Sequence, residues 1–462
     1  MRVAQATLKW SILHRTLRLG VCPPAAFEES PIPRMSKQRA TGRTAVHRPF
    51  WEEMLPALAH DFPAPAGAPV VQADMRRVSL LGFGHFTNDM YGNLATSLAP
   101  YFVLDGRLTA PVAGVMILVY LGGSSVLQPL FGIISDRSGR RWFAVAGPVW
   151  IGTAMSLLII APSAWVIFAL VAVGGVGTAA FHPQGASMVN RMAGQSRGWA
   201  MSIFSMGGNL GYGLGPVLAA TMFAIGNAWT ILLAIPGLLC TALLFKFAPP
   251  ARSHTVQSTG QSLREARVHL RPLGLIVLVI AIRSGAMSGV IFLAPLYFHS
   301  QGLPPAWGSY GSSIFLLAGA ITGLYTGRLS DRIGRRPVVV WSLLAAAPLI
   351  FCFGLLPGLS SWPVMALAGC AILASNSVTV VQAQEFLPNN TGLAGGLTLG
   401  LGFGLSGVIT FVVSAVSKHA GPRDTLFMVA ALPLVAAGCA FLTAAHEPSA
   451  ESGRANAGVT PI

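Results

Sequence analysis

The fold is decided by ten residues that occur twice, first as Gly132-Ile-Ile-Ser-Asp136-Arg137-Ser-Gly139-Arg140-Arg141 and again as Gly327-Arg-Leu-Ser-Asp331-Arg332-Ile-Gly334-Arg335-Arg336. The two copies are 195 positions apart, from 132 to 327. Residues 207–211 and 401–405 echo each other at nearly the same distance. Two related halves with a common offset indicate a duplicated architecture.

In each copy, an acid and the three arginines that follow it are compressed into one short loop. The leading glycine lets two helices approach closely, and the acid can neutralise neighbouring arginines or cap a helix. Such a cluster can hold one conformation of two sliding bundles and release it in another. A purely topological basic loop is the alternative, and two copies in register favour the conformational role.

The amino-acid composition is that of a membrane protein. Its 462 residues are 53% hydrophobic and 10% charged, with a mean hydropathy of +0.63, whereas a soluble domain is about 25% charged. These values exclude a soluble enzyme, a nucleic-acid-binding protein and a disordered scaffold protein. The net charge of +15 comes from basic residues before residue 78 and from short clusters between apolar segments. We therefore expect contact with membrane lipid and none with nucleic acid.

Apolar segments of about 20 residues, enough to cross a bilayer, recur from residue 75 onward. We predict twelve spans: 78–104, 110–134, 142–160, 163–189, 199–225, 227–247, 272–298, 306–327, 337–357, 362–384, 392–417 and 424–445. They must be helices, because an open sheet would leave backbone groups unpaired in hydrocarbon. The predicted fold is an all-α membrane protein with twelve transmembrane helices in two pseudo-symmetric six-helix bundles.

The predicted domain organisation places a linker between the two bundles. Its parts are an N-terminal extension (1–74), the first bundle (75–248), the linker (249–271), the second bundle (272–446) and a tail (447–462). The extension is rich in Arg, Pro and Ala, which predicts a disordered cytoplasmic segment. It is alternatively an artefact of start-site choice, because Met35, Met54 and Met75 could each begin a chain that keeps all twelve spans.

The basic residues between spans predict the orientation. The loops that follow even-numbered spans hold fourteen: Arg137, Arg140, Arg141, Arg191, Arg197, Lys246, Arg252, Arg264, Arg267, Arg271, Arg328, Arg332, Arg335 and Arg336. The loops that follow odd-numbered spans hold three, Arg107, Lys418 and Arg423. By the positive-inside rule, both termini lie in the cytoplasm.

A doubled D-R-x-G-R-R after the second and eighth spans resembles the major facilitator superfamily, over residues 75–446. The resemblance implies two six-helix bundles, a central cavity and alternating access. It also implies that the motif residues form a cytoplasmic gate: Gly132, Asp136, Arg137, Gly139, Arg140, Arg141, Gly327, Asp331, Arg332, Gly334, Arg335 and Arg336. Glu385, at the cytoplasmic end of the tenth span, is expected to pair with gate arginines.

The fifth span carries glycines at every fourth position, Gly207, Gly211 and Gly215, followed by Pro216. They lie on one helical face, where another helix can pack closely, and the proline perturbs the backbone hydrogen bonds. The stretch is similar to the glycine–proline antiporter motif of drug exporters in the superfamily. Tight helix packing without a role in exchange is the alternative.

Three further segments, at 84–89, 180–186 and 384–388, resemble the fosmidomycin-resistance branch of drug exporters. That resemblance implies proton-driven export of toxic small molecules from bacteria, across the inner (plasma) membrane. These segments and the glycine stretch supply His182, Gln184 and Asn209 as candidate cavity residues. His182 is either a titratable group near neutral pH or a satisfied packing residue.

The first span presents a polar face, made by His85, Asn88, Asp89, Gly92 and Thr96 at helical spacing. An aspartate inside a span costs ~2.5–3.5 kcal/mol on insertion scales, so Asp89 should face a wet cavity or a partner.

Arg283 is a basic residue well inside the seventh span, and removing the offset of 195 from 283 gives 88, next to Asp89. We hypothesise that Asp89 and Arg283 form a charge pair, or act as a proton site and an anion site. A static structural pair is the alternative.

Enzymatic motifs are absent from the sequence: it has no G-x-x-x-x-G-K-[ST] loop, no H-E-x-x-H and no clustered Cys/His ligands. We therefore expect no catalytic residues, no metal and no cofactor, and a gradient as the source of energy. The predicted function is proton-coupled efflux of drugs or related small molecules by a monomer. Uptake of a metabolite or organic anion is one alternative, and a non-transporting membrane sensor or scaffold is another.

Overall fold

A computed structural model describes residues 74–138, 141–193, 197–248, 269–387 and 394–443. Within these ranges the secondary structure is helical, without strands. The predicted N-terminal extension before residue 74, the linker up to residue 268 and the C-terminal tail lie outside the described residues.

The first half of the chain forms seven helices in the described ranges. They are α1 (Met75–Gly92), α2 (Leu94–Leu104), α3 (Ala110–Ser138), α4 (Trp142–Ser156), α5 (Ala164–Met192), α6 (Arg197–Ile225) and α7 (Ile235–Phe247). Short 3-10 turns at Leu158–Ile160 and Ala228–Ala234 extend α4 and precede α7.

The second half forms six helices in the described ranges. They are α8 (Leu270–Ser300), α9 (Pro305–Ile333), α10 (Arg335–Leu355), α11 (Trp362–Ala374), α12 (Asn376–Phe386) and α13 (Phe403–Leu442). A 3-10 turn at Gly358–Ser361 precedes α11, and a π-helical segment at Gly396–Gly402 leads into α13.

These helices make the twelve predicted spans. Eight of the described helices are long and apolar enough to cross a membrane by themselves, and the last of them runs over Gly400–Leu442. It contains two spans, because Gly421 has φ 79° and ψ 167° and interrupts the helix. The other three spans are α1 with α2, α6, and α9. Most span boundaries agree with the predicted ones to within a few residues, but α9 ends at Ile333 and not at residue 327, and the predicted start at residue 392 lies outside the described residues.

Two predicted spans are broken where a continuous helix was expected. The first is interrupted at Asn93, whose side-chain amide donates to the Tyr212 carbonyl at 2.8 Å. The tenth is interrupted at Ser375, whose hydroxyl donates to the Ile372 carbonyl at 3.1 Å. The Ser375 hydroxyl competes for a carbonyl of its own helix, which weakens the helix there, whereas the Asn93 amide binds the backbone of α6.

The internal repeat is visible in the helix boundaries. Helices α3 and α9 both have 29 residues, and both of their ends are 195 positions apart, from 110 to 305 and from 138 to 333. Helices α1 and α8 begin at the same separation, at 75 and 270. The duplicated sequence therefore folds into two equivalent bundles.

The two bundles share one apolar core at the end of the molecule that contains α2. This core combines residues such as Leu98 and Phe102 from the first half with Phe292 and Phe298 from the second. A hydrogen bond of 2.7 Å joins the Tyr101 hydroxyl of α2 to the hydroxyl of Ser309 on α9. This end of the molecule is closed.

At the opposite end, which carries the repeated motif, each bundle has its own core. One contains Val78, Phe181 and Leu244 from the first half, and two more are built from residues of the second half. The bundles are thus joined at the α2 end and have separate cores at the motif end.

Candidate transport site

The described chain brings three titratable side chains together in the first bundle. Asp89 on α1 lies 3.1 Å from His85 Nε2 through its Oδ2 atom, and 2.8 Å from His182 Nε2 on α5 through Oδ1. The Asn88 amide also donates to Oδ1 at 3.2 Å. The side chains of His85, Asp89 and His182 are 14%, 18% and 26% exposed. We call these three residues the His–Asp–His cluster.

Two helices hold this cluster in place through close contacts of their backbones. A Cβ atom built on Gly207 of α6 would lie 2.1 Å from the Gly82 carbonyl oxygen of α1, and one on Gly211 would lie 2.0 Å from that of Phe86. A Cβ atom on Gly215 would lie 2.5 Å from the side chain of Asn93. The glycine face predicted from sequence is therefore the surface on which α1 packs.

His85 lies in this contact. Its Nδ1 atom is 2.8 Å from the Phe204 carbonyl oxygen of α6, and its ring stacks on the Phe204 ring with centroids 4.1 Å apart. A Cβ atom on Gly208 would be 2.5 Å from His85 Nε2. The imidazole is thus fixed between the backbone of α6 and the Asp89 carboxylate.

Arg283 is completely buried in the second bundle. Its Nη2 atom donates to Ser284 Oγ at 3.0 Å and to Asn376 Oδ1 at 2.9 Å, while Nε and Nη1 have no hydrogen-bond partner among the described residues. The predicted charge pair with Asp89 is wrong for this structure, because Asp89 pairs with the two histidines of its own bundle.

The internal repeat nevertheless relates these two polar sites. Asp89 and Arg283 are 194 positions apart, and so are His182 and Asn376. The contact between Asp89 and His182 joins α1 to α5, and the contact between Arg283 and Asn376 joins α8 to α12 at the equivalent place. The two bundles therefore carry an acid–histidine pair and an arginine–amide pair at corresponding positions.

The other predicted cavity residues have different surroundings. Gln184 was predicted to line the cavity, but it is buried and its amide oxygen accepts from the Ala144 backbone at 2.7 Å, which links α5 to α4. Asn209 is exposed on α6. Thr96 is buried beyond the break at Asn93, so the polar face of α1 ends at Gly92.

The second motif copy forms an ion-pair cluster within its own bundle. Arg335 at the start of α10 pairs with Asp331 at the end of α9 and with Glu385 on α12, at 3.0 Å from the latter. It also donates to Ser330 Oγ at 2.6 Å. The expected pairing of Glu385 with a motif arginine is present.

The last arginine of each motif contacts the end of its own bundle. Arg336 lies over the Phe441 ring at 4.4 Å. Arg141 lies over the Phe245 ring at 5.7 Å and donates to the carbonyls of Phe245 and Ala248 at the end of α7. These arginines anchor the beginnings of α10 and α4 to the last helix of each bundle.

The motif glycines differ from one another. Gly132 faces Pro183 of α5, and a Cβ atom built on it would make an ordinary contact at 3.6 Å. Gly327 was predicted to permit a close helix approach, but no described atom lies within 4 Å of its Cβ position, so its lack of a side chain is not required here. Gly334 has φ 93°, which favours glycine, and it separates α9 from α10.

Part of the first motif copy lies outside the described residues. Gly139 and Arg140 fall between the described ranges, and the side chains of Asp136 and Arg137 at the end of α3 are not described either. Arg332, the corresponding residue of the second copy, is exposed.

Sequence reasoning missed three members of this site: the Phe204 carbonyl, Gly208 and Asn376. Asn376 has a signal in the repeat, because adding 194 to 182 identifies it as the counterpart of His182. The carbonyl has none, because every residue has one. The imidazole nitrogens of His85 and His182 and the carboxyl oxygens of Asp89 thus form the closest group of titratable side chains that we find in the described chain, with one atom of each within 4.8 Å of the others.

Curated relatives cover most of the chain. A Bacillus subtilis (strain 168) transporter of the facilitator type, YfnC, is 29% identical over 378 residues, or 77% of this chain and 90% of the relative. The fosmidomycin resistance protein of Escherichia coli (strain K12) is 28% identical over 378 residues, or 77% and 89%. The multidrug resistance protein MdtG of Escherichia fergusonii is 23% identical over 60% of this chain and 71% of its own length.

Solved structures share the fold. A mutant of the nucleoside transporter NupG superposes with a TM-score of 0.64 at 16% identity, covering 80% of this chain and 99% of that one. A bacterial homolog of the human lysosomal transporter Spinster, in an inward-facing and unoccupied conformation, gives 0.61 at 16% identity, with 80% and 96% covered. Residues 81–409 match the Major Facilitator Superfamily as a family. The chain is therefore a multi-pass membrane protein that belongs to the major facilitator superfamily of transporters.

Proposed function

We propose that this protein exports drugs or related small molecules in exchange for protons, by alternating access. The observation that carries the proposal is the His–Asp–His cluster. It places two imidazoles, the groups best suited to exchange protons near neutral pH, beside a carboxylate in the middle of a transmembrane bundle. The relatives named for drug and fosmidomycin resistance support export as the direction.

In this proposal, the second bundle binds the substrate. Arg283 is a buried cation with two nitrogens that lack a partner among the described residues, and burying an unpaired charge is costly. An anionic group of the substrate would complete its hydrogen bonds. Because Arg283 is covered in this structure, the anion reaches it in a different arrangement of the two bundles. Protons and an anionic or partly anionic small molecule are therefore the proposed partners.

The two ends of the molecule support alternating access. The bundles share a core at the α2 end and have separate cores at the motif end. With the orientation predicted from the basic residues, the motif end faces the cytoplasm, and this structure is open inward. Rocking of the bundles would open the α2 end, and the motif clusters around Arg335 and Arg141 would act as the cytoplasmic gate.

The proposal includes location and organisation. We place the protein in the bacterial inner membrane as a monomer, with both termini in the cytoplasm and lipid around it. The bundles span residues 75–248 and 272–446, joined by a linker at 249–271 and flanked by the segments 1–74 and 447–462.

Proton-coupled uptake on the same fold is the second candidate, because the buried cation at Arg283 would serve import of an organic anion equally well. A sensor that binds without transport would be expected to lose one of its gate clusters, and the described second cluster keeps its ion pairs.

Accumulation measurements test the proposal. The chain is expressed in a drug-sensitive bacterium, and susceptibility and internal accumulation are scored over a compound panel that includes fosmidomycin. Export predicts lower accumulation of at least one compound, with the difference abolished by a protonophore. Higher accumulation would establish uptake, and unchanged accumulation across the panel in cells with verified membrane expression would contradict transport.

A further inference from the structure

The two ring nitrogens of His85 face two oxygen atoms, a backbone carbonyl oxygen and a carboxyl oxygen of Asp89. The Nδ1 atom of His85 lies 2.8 Å from the Phe204 carbonyl oxygen. A carbonyl has no proton to give, so Nδ1 must carry the hydrogen. In a neutral ring, Nε2 would then be an acceptor, and it lies 3.1 Å from Oδ2 of Asp89.

Two acceptors do not face each other at this distance without a hydrogen between them. Either His85 Nε2 or Asp89 Oδ2 must therefore be protonated. The contact holds one proton more than a neutral histidine and a carboxylate would hold together.

The remaining contacts of Asp89 decide where this proton resides. Its Oδ1 atom accepts from His182 at 2.8 Å and from the Asn88 amide at 3.2 Å. A carboxylate that accepts several hydrogen bonds is favoured in its ionised form. A hydrogen on His182 Nε2 satisfies its own contact with Oδ1 and leaves the contact between His85 and Oδ2 unchanged. The additional proton accordingly belongs to His85.

We propose that His85 is held as an imidazolium beside an ionised Asp89, and that its Nε2 proton is the one this transporter exchanges. The inference rests on the proposed function and assigns its coupling proton to a named atom. The other titratable groups facing the pair are His182 from α5, Tyr120 from α3 and Tyr212 from α6. From α7, Cys240 faces Thr87, on another side of α1.

The packing of α6 makes Gly208 a positioning residue for this proton. A Cβ atom there would lie 2.5 Å from His85 Nε2 and 2.8 Å from Nδ1, so an alanine would displace the ring from the Phe204 carbonyl. Because α1, α5 and α6 belong to one bundle, the cluster moves as a unit when the bundles rock. The second bundle then controls which side of the membrane exchanges the proton.

Solid-state NMR of the full chain, labelled with ¹⁵N-histidine and reconstituted in liposomes at pH 7, tests the proposal. The nitrogen shifts distinguish a doubly protonated ring from either neutral form. The signal of His85 is identified by its loss in His85→Gln, where the amide still donates to Asp89 but cannot titrate.

The expected result is a doubly protonated His85 that becomes neutral when Gly208→Ala displaces it. Gly123→Ala is the matched control, because no described atom lies within 4 Å of a Cβ there, and it should keep the imidazolium signal. A singly protonated His85 at pH 7 would overturn the proposal. So would a transition metal bound stoichiometrically by the purified protein and lost in His85→Gln.

Transport by the same liposomes separates this inference from the proposed function. With fosmidomycin as the probe, or with the compound of the panel whose accumulation the wild-type protein lowers, His85→Gln should lose the part of transport driven by an imposed pH gradient and retain exchange of labelled for unlabelled compound. If the wild-type protein ignores the gradient, the proposed function fails whatever the spectrum shows. If wild type and His85→Gln respond equally to the gradient, only the assignment to His85 fails.

Discussion

The two bundles repeat the same backbone contacts with different side chains. In the first, Gly208 of α6 makes room for His85 of α1. In the second, Gly402 makes room for Ile280 of α8, with a Cβ position 2.7 Å from the isoleucine side chain. The partners correspond at separations of 195 and 194 positions. A site that an isoleucine fills in one bundle does not need a histidine for packing in the other.

One helical turn further along α1 and α8, the two bundles again have equivalent contacts made by different side chains. Asp89 and His182 in the first bundle correspond to Arg283 and Asn376 in the second. One bundle therefore has a pair of titratable groups, a carboxylate and an imidazole, and the other has an arginine and a neutral amide. Duplication preserved the scaffold, and the two copies acquired complementary chemistry.

The largest effect is expected when the first bundle loses its acid. Asp89→Asn keeps the volume and a hydrogen-bonding group for both histidines but removes the charge that they stabilise. Transport driven by a pH gradient should fall to the background of empty liposomes. The matched control is Asp105→Asn, at the ion pair with Arg107 near the closed end, which should retain transport. Undiminished gradient-driven transport in a well-expressed Asp89→Asn variant would remove the proton role from this bundle.

The next largest effect, on thermal stability and transport, is expected when a closely packed glycine of the first half is replaced, and a glycine of the second half serves as the comparison. Gly211→Ala places a methyl group 2.0 Å from the Phe86 carbonyl oxygen, so α1 and α6 must separate. Overpacking of this kind costs about 1–3 kcal/mol or more, and we expect a lower thermal unfolding temperature in detergent together with loss of transport. Gly327→Ala, with no described atom within 4 Å, should leave both unchanged. Equal unfolding temperatures for the two variants would contradict the close packing of α1 on α6.

A smaller effect, of opposite sign for stability and function, is expected at Arg283. In this structure, no described acid pairs with it, and burying a charge without a partner of opposite charge destabilises the folded state. Arg283→Met should therefore unfold at an equal or higher temperature and lose transport of anionic compounds.

Arg283→Lys, which keeps the charge but not the planar hydrogen bonds to Asn376 and Ser284, is its matched variant and should retain part of the transport. If Arg283→Met unfolds at a lower temperature and still transports, Arg283 stabilises the bundle and does not bind substrate.

Much of this architecture was predictable from the sequence, because hydrophobic segments in lipid leave a chain few alternatives. The twelve spans, the duplication and the close-packing face at Gly207 and Gly211 all follow from residue spacing. The partners of Asp89 could not be predicted from residue spacing. The sequence shows that Asp89 and Arg283 lie at similar depth, but it does not show that each forms its hydrogen bonds within its own bundle.

The contribution of backbone atoms to the site could not be predicted from the sequence either. The Phe204 carbonyl fixes the His85 ring, and a residue pattern cannot identify such a carbonyl because every residue has one. The helix breaks at Asn93 and Ser375 were missed for a related reason, because one polar side chain in an apolar run weakens a helix without interrupting its hydrophobicity.

The smallest effect is expected at the motif end, where Glu385→Gln removes one partner of Arg335. The carboxylates of Asp331 and Glu385 are 60% and 33% exposed, and ion pairs in such surroundings contribute about 0–1 kcal/mol. Both also lie in the same bundle as Arg335, so in this structure their ion pairs with Arg335 do not hold the bundles together. The rate of transport should therefore change less than about fivefold, and thermal stability should barely change. A loss comparable to that of Asp89→Asn would mean that Glu385 bridges the two bundles in the other conformation, and the gate would then depend on contacts between unlike halves.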